Sequence, residues 1–195
     1  GIGANADIVK VCKKALCGVQ TNFFPCKELL PLEGERMLST PAHWAYLKIS
    51  DGCSNCCSYC AIPGIRGPFR SRPMESVVAE AESLAGRGIK ELILIAQDTT
   101  LYGKDLYGKY CLAELLRQID GIRWIRLYYC YPDRITDELI DVIANEDKIC
   151  PYIDIPLQHC NGDVLRAMNR YGNYDSLRQL ISNMRRRIPG LALRT

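Results

Sequence analysis

A chain of 195 residues is long enough for one sizeable core, and its 48% hydrophobic and 24% charged content excludes a disordered or fibrous protein. A net charge of +3 is too mild to imply nucleic-acid binding, and the one tight basic run, Arg185-Arg186-Arg187, falls at a helix end, where it suits the dipole. No apolar run approaches the roughly 18 residues of a membrane span, and no charged-then-apolar leader opens the chain, so a cytoplasmic location without membrane contact is expected.

Taken in order, Ala6–Leu16 reads as a short helix closed by Gly18, and residues 19–42, with little periodicity, read as a linker. Trp44–Ile49 is a strand. Met74–Leu84 has helical periodicity, with Gly86 and Gly88 ending it. Glu91–Ala96 is a near-continuous apolar strand, the pattern of a parallel sheet covered on both faces. Leu112–Ile119 is a helix and Trp124–Tyr129 a strand. Thr136 caps a helix running to about Asn145. Tyr152–Ile155 is a strand, Gly162–Met168 and Asp175–Arg187 are helices, and Leu191–Leu193 begins another strand. The start at Gly1 and a final strand that reads as cut short suggest an excerpt of a longer protein. Strands alternating with helices predict a parallel sheet with helices outside, either doubly wound or part of a barrel. No Gly-x-Gly-x-x-Gly turn follows the first strand, which weakens a dinucleotide site.

The unusual residues lie just after strands, where β/α barrels collect their chemistry. Clustered cysteines follow the first strand, Gln97–Gly103 the second, Tyr131–Arg134 the third, and Pro156–Cys160 the fourth. The chain has 11 cysteines, an odd number, and Cys56 and Cys57 are adjacent. A reducing compartment and a metal site fit this better than disulfides. Scattered cysteines such as Cys130, inside an apolar strand, read as buried packing residues. Cys53-x3-Cys57-x2-Cys60 places three soft thiols on one short loop. A cubane iron–sulfur cluster usually takes four cysteines, so three would leave one iron open to a substrate. The same stretch also parses as Cys53-x2-Cys56 and Cys57-x2-Cys60, a four-thiol zinc site in a non-catalytic interaction module. Spacing leaves both open.

The x3–x2 spacing with an aromatic, Tyr59, before the last cysteine resembles the signature of the radical S-adenosylmethionine superfamily. Ala61–Gly67 and Arg70-Ser-Arg-Pro73 resemble its methylthiotransferase branch. Ala96–Gly103 and Asp154–His159 resemble the RimO-type enzymes, which modify an aspartate of a small-subunit ribosomal protein, more than the enzymes that modify tRNA. This resemblance covers roughly residues 42–195. It implies an α/β fold, a partial parallel (β/α) barrel truncated at the C-terminus. It further implies residues 1–18 as the end of an N-terminal methylthiotransferase domain, 19–42 as a linker, and 43–195 as an incomplete core.

The resemblance implies a 4Fe–4S cluster on Cys53, Cys57 and Cys60, with S-adenosylmethionine chelated by the open iron. Cys56 is then a bystander. Tyr59 is expected near the adenine, Gln97 and Asp98 near the methionine amino group, and Gln158 and His159 near ribose or substrate. Arg66, Arg70 and Arg72 are expected to brace the loop or neutralise a carboxylate, and His43 has no assigned role. The implied product carries a methylthio group on the aspartate β-carbon. The implied partners are the ribosomal protein and an electron donor such as a flavodoxin or ferredoxin, with nucleic acid only if the chain acts on tRNA. A second 4Fe–4S cluster is expected on three cysteines ahead of residue 1. Cys12, Cys17 and Cys26 do not match that pattern.

Overall fold

The computed structural model describes residues 7–25, 32–34 and 36–195. Ala6, where the first helix is expected to start, and Cys26 in the expected linker lie outside the described residues. Helix α1 spans Ile8–Leu16, has no buried residue, and carries Lys13 and Lys14 in its last turn. Gly18 follows it at φ +73, a left-handed conformation that costs glycine little.

The body begins with strand β1 (Trp44–Lys48), followed by β2 (Ser50–Asp51), helix α2 (Ile62–Arg66) and β3 (Arg70–Ser71). Helix α3 (Met74–Gly86), β4 (Glu91–Ile95), α4 (Lys104–Tyr107), α5 (Leu112–Gln118) and β5 (Trp124–Leu127) come next. After a 3-10 turn at Pro132–Arg134 come α6 (Asp137–Asn145), β6 (Ile149–Asp154), α7 (Gly162–Ala167), α8 (Tyr174–Arg187) and β7 (Ala192–Arg194).

The main sheet runs β1-β4-β5-β6-β7 with every neighbouring pair parallel. Each parallel strand is added beside the previous one, with no reversal of order. A doubly wound sheet reverses direction at a switch point; a barrel wall does not. The structure therefore takes the barrel alternative. Helices α3, α5, α6 and α8 succeed one another along one side.

Alternation sets the core. Ala45, Leu47, Leu92, Leu94, Ile125, Leu127 and Ile153 are all at most 1% exposed. They pack with Val77, Leu84, Leu115, Leu116, Ile140 and Met184 in a single apolar cluster. The other sheet face is less apolar than β4 suggests. β4 places Ile93 and Ile95 there, but Glu91 pairs with Arg126 at 2.6 Å, and Arg126 lies 4.9 Å over the Tyr152 ring. Full cover on both sheet faces, read from β4 alone, does not extend to its neighbours.

Local chemistry explains the boundaries. Thr136 caps α6 as its sequence suggests, accepting from the Leu139 N–H at 3.1 Å. Helix α8 starts one residue earlier than its periodicity implies, because Asn173 and Ser176 form a reciprocal capping box. Strand β6 starts three residues before the expected Tyr152, despite Pro151. Its register against β5 shifts between Ile125 and Leu127, and Pro151 falls in the irregular stretch.

Leu94 is fully buried on the second of five parallel strands. Leu94→Ala should lower unfolding free energy by about 2–5 kcal/mol, through lost burial and the cavity left behind. Denaturant titration of both chains checks this.

Candidate functional site

The parallel sheet delivers the ends of β1, β4, β5 and β6 to one rim, where a cavity of about 440 Å³ opens. Cys53, Cys57 and Cys60 line it, with Tyr59, Ile62, Ile95, Ala96, Gln97, Tyr129 and Tyr131. Cys56 does not. It is exposed, its backbone has φ +50, and its carbonyl accepts from Asn169 Nδ2 at 2.9 Å. The loop thus turns at Cys56 and sends its other three thiols to one cavity.

The loop, residues 52–69, is closed at its base by the β2–β3 ribbon, which pairs Ser50 with Ser71 and Asp51 with Arg70. Gly52 has φ +76, and a Cβ there would sit 2.0 Å from the Pro68 carbonyl oxygen. Only glycine lets the two sides of the loop approach so closely. The Phe69 N–H donates to Ser54 Oγ at 3.1 Å. The segment after β4 clamps the same base. Ser71 N–H donates to Asp105 Oδ2 at 2.8 Å, and Tyr102 Oη donates to the Arg72 carbonyl at 2.9 Å. Arg72, 4% exposed, donates to Glu80 at 2.6 Å and to the Lys48 carbonyl at 2.8 Å. It ties the end of β1 to α3.

Two further anchors hold the loop's tip. On one side Asn55 Nδ2 donates to Asp98 Oδ2 at 3.0 Å. On the other, the turn after α7 takes Ser58, whose N–H donates to the Met168 carbonyl at 3.0 Å and whose Oγ donates to the Ala167 carbonyl at 3.1 Å. Arg170, in the same turn, donates to Cys57 Sγ at 3.6 Å.

Of the residues singled out from sequence, the structure brings Cys53, Cys57, Cys60, Tyr59 and Gln97 to one cavity. Gln97 Oε1 is buried and has no hydrogen-bond partner. Asp98 is fully buried and does not line the cavity. Arg134 Nη1 donates to it at 2.5 Å and Thr100 Oγ1 at 2.6 Å. Its carboxylate therefore serves as a brace. Gln158 and His159 line a neighbouring hollow of about 530 Å³, which shares Tyr129 and Pro156 with the first. His159 Nδ1 accepts from the Asn161 N–H at 2.9 Å. Arg66 lies 3.9 Å from Asp51. Sequence reasoning missed Asn55, Asn169 and Arg170. The contacts by which they join the cysteine loop to the rest of the site span over 40 residues along the chain, and no spacing signals them.

The electrostatics describe an assembly of thiols. Burial pushes the Cys53 thiol up, and Asp98, Cys57 and Cys60 add to this, while a backbone hydrogen bond at Asn55 opposes it. Mutual repulsion among neighbouring thiolates is the condition that a bound cation or cluster relieves. Among the described residues no three His, Cys, Asp or Glu side chains are grouped so as to hold a single metal ion. Soft thiol donors lining one cavity suit an iron–sulfur cluster or zinc. Cys130, fully buried behind the cavity wall between Tyr129 and Tyr131, is pushed up to about 12 by burial and is inert packing.

Comparison with known proteins places this geometry in context. The family model described as "Radical SAM superfamily" matches residues 47–194. The ribosomal protein uS12 methylthiotransferase RimO of Heliobacterium modesticaldum is 58% identical over 163 residues, covering 82% of this chain and 35% of that protein. The protein of the same name from Moorella thermoacetica is 50% identical over 198 residues, covering 100% of this chain and 46% of its own. The chain thus spans less than half the length of these relatives. Among solved structures, the radical S-adenosylmethionine methyltransferase TsrM of Kitasatospora setae, bound to tryptophan and a SAM analogue, superimposes with TM-score 0.60 at 20% identity. That match covers 82% of this chain and 33% of TsrM. The cobalamin-dependent enzyme OxsB, with aqua-cobalamin bound, gives 0.56 at 15% identity, covering 76% and 23%. At these identities the likeness is one of fold.

Asp98→Ala should cost about 3–5 kcal/mol, because it strands Arg134 beside a buried hole. It should also release Asn55, seen as faster proteolysis within residues 52–69. Gly52→Ala should open the same loop without lowering the stability of the sheet, and hydrogen exchange resolved by segment separates the two.

Proposed function

This chain belongs to the radical S-adenosylmethionine superfamily, and we propose that it is the core of a methylthiotransferase acting on the β-carbon of an aspartate in a small-subunit ribosomal protein. The observation that carries this reading is the convergence of Cys53, Cys57 and Cys60, without Cys56, on one cavity beside the unpartnered Gln97 oxygen. The names of the similar proteins from Heliobacterium and Moorella supply the substrate class.

The residues present fit a 4Fe–4S cluster and S-adenosylmethionine. Three thiols would hold the cluster and leave one iron free of protein ligands. The buried Gln97 oxygen wants a donor, and an ammonium group is one. The cavity volume, about 440 Å³, falls within the range of small-molecule sites, and its walls are largely apolar and aromatic. When bound, this pair supplies one-electron chemistry able to activate an unactivated carbon–hydrogen bond.

The chain's own work is to hold and to exclude. The three thiols fix the cluster at the rim of the sheet. Tyr59 flanks the cofactor, while Ile62, Ile95 and Ala96 keep water from the reacting centre. Gln97 orients the amino group. The adjoining hollow bearing Gln158 and His159 lies where the substrate side chain would approach, and it shares a wall with the first cavity. Residues 1–18 form the end of a preceding domain that holds a second cluster, and residues 19–42 link it to the core. A flavodoxin or ferredoxin supplies the electron. Among the described residues no helix is long and apolar enough to cross a membrane, and the reading places the protein in the cytoplasm with its ribosomal substrate.

Anaerobic reconstitution should give about four irons per chain at this site. Replacing Cys53, Cys57 or Cys60 with alanine should each abolish that uptake, and Cys56→Ala should leave it unchanged. Loss of metal on Cys56→Ala, with zinc recovered from the parent chain, would refute the cluster.

A further inference from the structure

Resting on the cluster reading above, we propose that Arg170 is a positioning residue that holds the Cys57 thiolate and raises the reduction potential of the cluster. Arg170 is 8% exposed and sits in the turn between α7 and α8, far from Cys57 in sequence. One guanidinium group gathers contacts from several elements, and the Tyr59 hydroxyl lies within its hydrogen-bonding reach. The guanidinium donates to Cys57 Sγ at 3.6 Å, donates to the Pro156 carbonyl at 2.5 Å, and lies 4.3 Å over the Tyr131 ring. The carbonyl and the ring fix the plane of the fork, and the fork then presents an N–H to sulfur.

The charge on that fork is directed at the thiol. The other cation lining the cavity, Lys48, is paired with Asp51 at 3.0 Å. Arg134, 4.7 Å over the same Tyr131 ring, is committed to the Asp98 carboxylate. Arg170 instead directs its hydrogen bonds to a carbonyl and a thiol, with the Tyr59 hydroxyl also in reach, and forms no ion pair among the described residues; its field weakly lowers the Asp133 carboxyl, which burial pushes up. One-electron reduction adds negative charge to the cluster and its sulfurs. A buried cation with an N–H aimed at a ligating sulfur stabilises the reduced form more than the oxidised form, which raises the potential. Asn169, held at φ +54 with its amide on the Cys56 carbonyl, keeps the turn against the loop. Together these contacts act as an outer shell that orients a ligand and tunes its metal.

The test is an electron-paramagnetic-resonance redox titration of the reconstituted holoprotein carrying Arg170→Gln or Arg170→Lys. The signal of this cluster is identified by its change on adding S-adenosylmethionine. Iron per chain should match the parent in both variants. The midpoint should fall in Arg170→Gln, with Arg170→Lys between it and the parent, since lysine keeps the charge but not the fork. Midpoints equal to the parent's in whichever variants load iron overturn the proposal, as do equal falls in both. Should neither variant load, metal-free melting temperatures decide. Parental values mean that the thiolate has lost its holder, as proposed, and lowered values mean that Arg170 is only structural. A parent protein that takes up no cluster refutes the site reading itself.

Discussion

A single carboxylate without solvent contact joins the parts of this site. Asp98 leaves the end of β4 and meets donors from three directions: Arg134 from the turn after β5, Thr100 from its own loop, and Asn55 from the cysteine loop. A buried charge is tolerable only when it is fully paired. The three loops therefore cannot drift apart without exposing or orphaning that charge. Sheet geometry brings the loops to one rim, and Asp98 keeps them in register there.

The loop that carries the thiols has little apolar burial of its own and depends on borrowed contacts. Its base is closed by Gly52 against Pro68 and by the β2–β3 ribbon. Its tip is held by the turn after α7 through Ser58, Asn169 and Arg170. Thiols at chosen positions repel one another when ionised, so the surrounding protein must fix them before any cofactor stabilises the arrangement. Preorganisation of this kind places the cost of assembly in folding, where the large apolar core behind the sheet offsets it.

Much of the fold was legible because helices and strands in this chain follow their periods closely. The strands at Trp44, Glu91 and Trp124 start where their apolar patterns start. Misreadings came where local chemistry overrode the period. Pro151 hid the first half of β6, and the capping box at Asn173 moved the start of α8. The short elements α2, α4, β2 and β3 carried no periodic signal, being too brief for one.

At the site, the sequence by itself determined which atoms are available: three thiols at x3–x2 spacing, and Gln97 just past the next strand. It left open whether Cys56 was a fourth donor, because spacing along a loop does not say which way a side chain turns. Tertiary structure decided the direction of that turn. The left-handed backbone at Cys56 turns it outward, and long-range hydrogen bonds from Asn169 and Arg170 fix the turn. It also separated Gln97, open to the cavity, from Asp98, turned into the core, although the two are adjacent in sequence. The physical reason is the same in both cases. Neighbouring residues at the end of a strand point in different directions, and only the partners waiting there determine which one is free to bind.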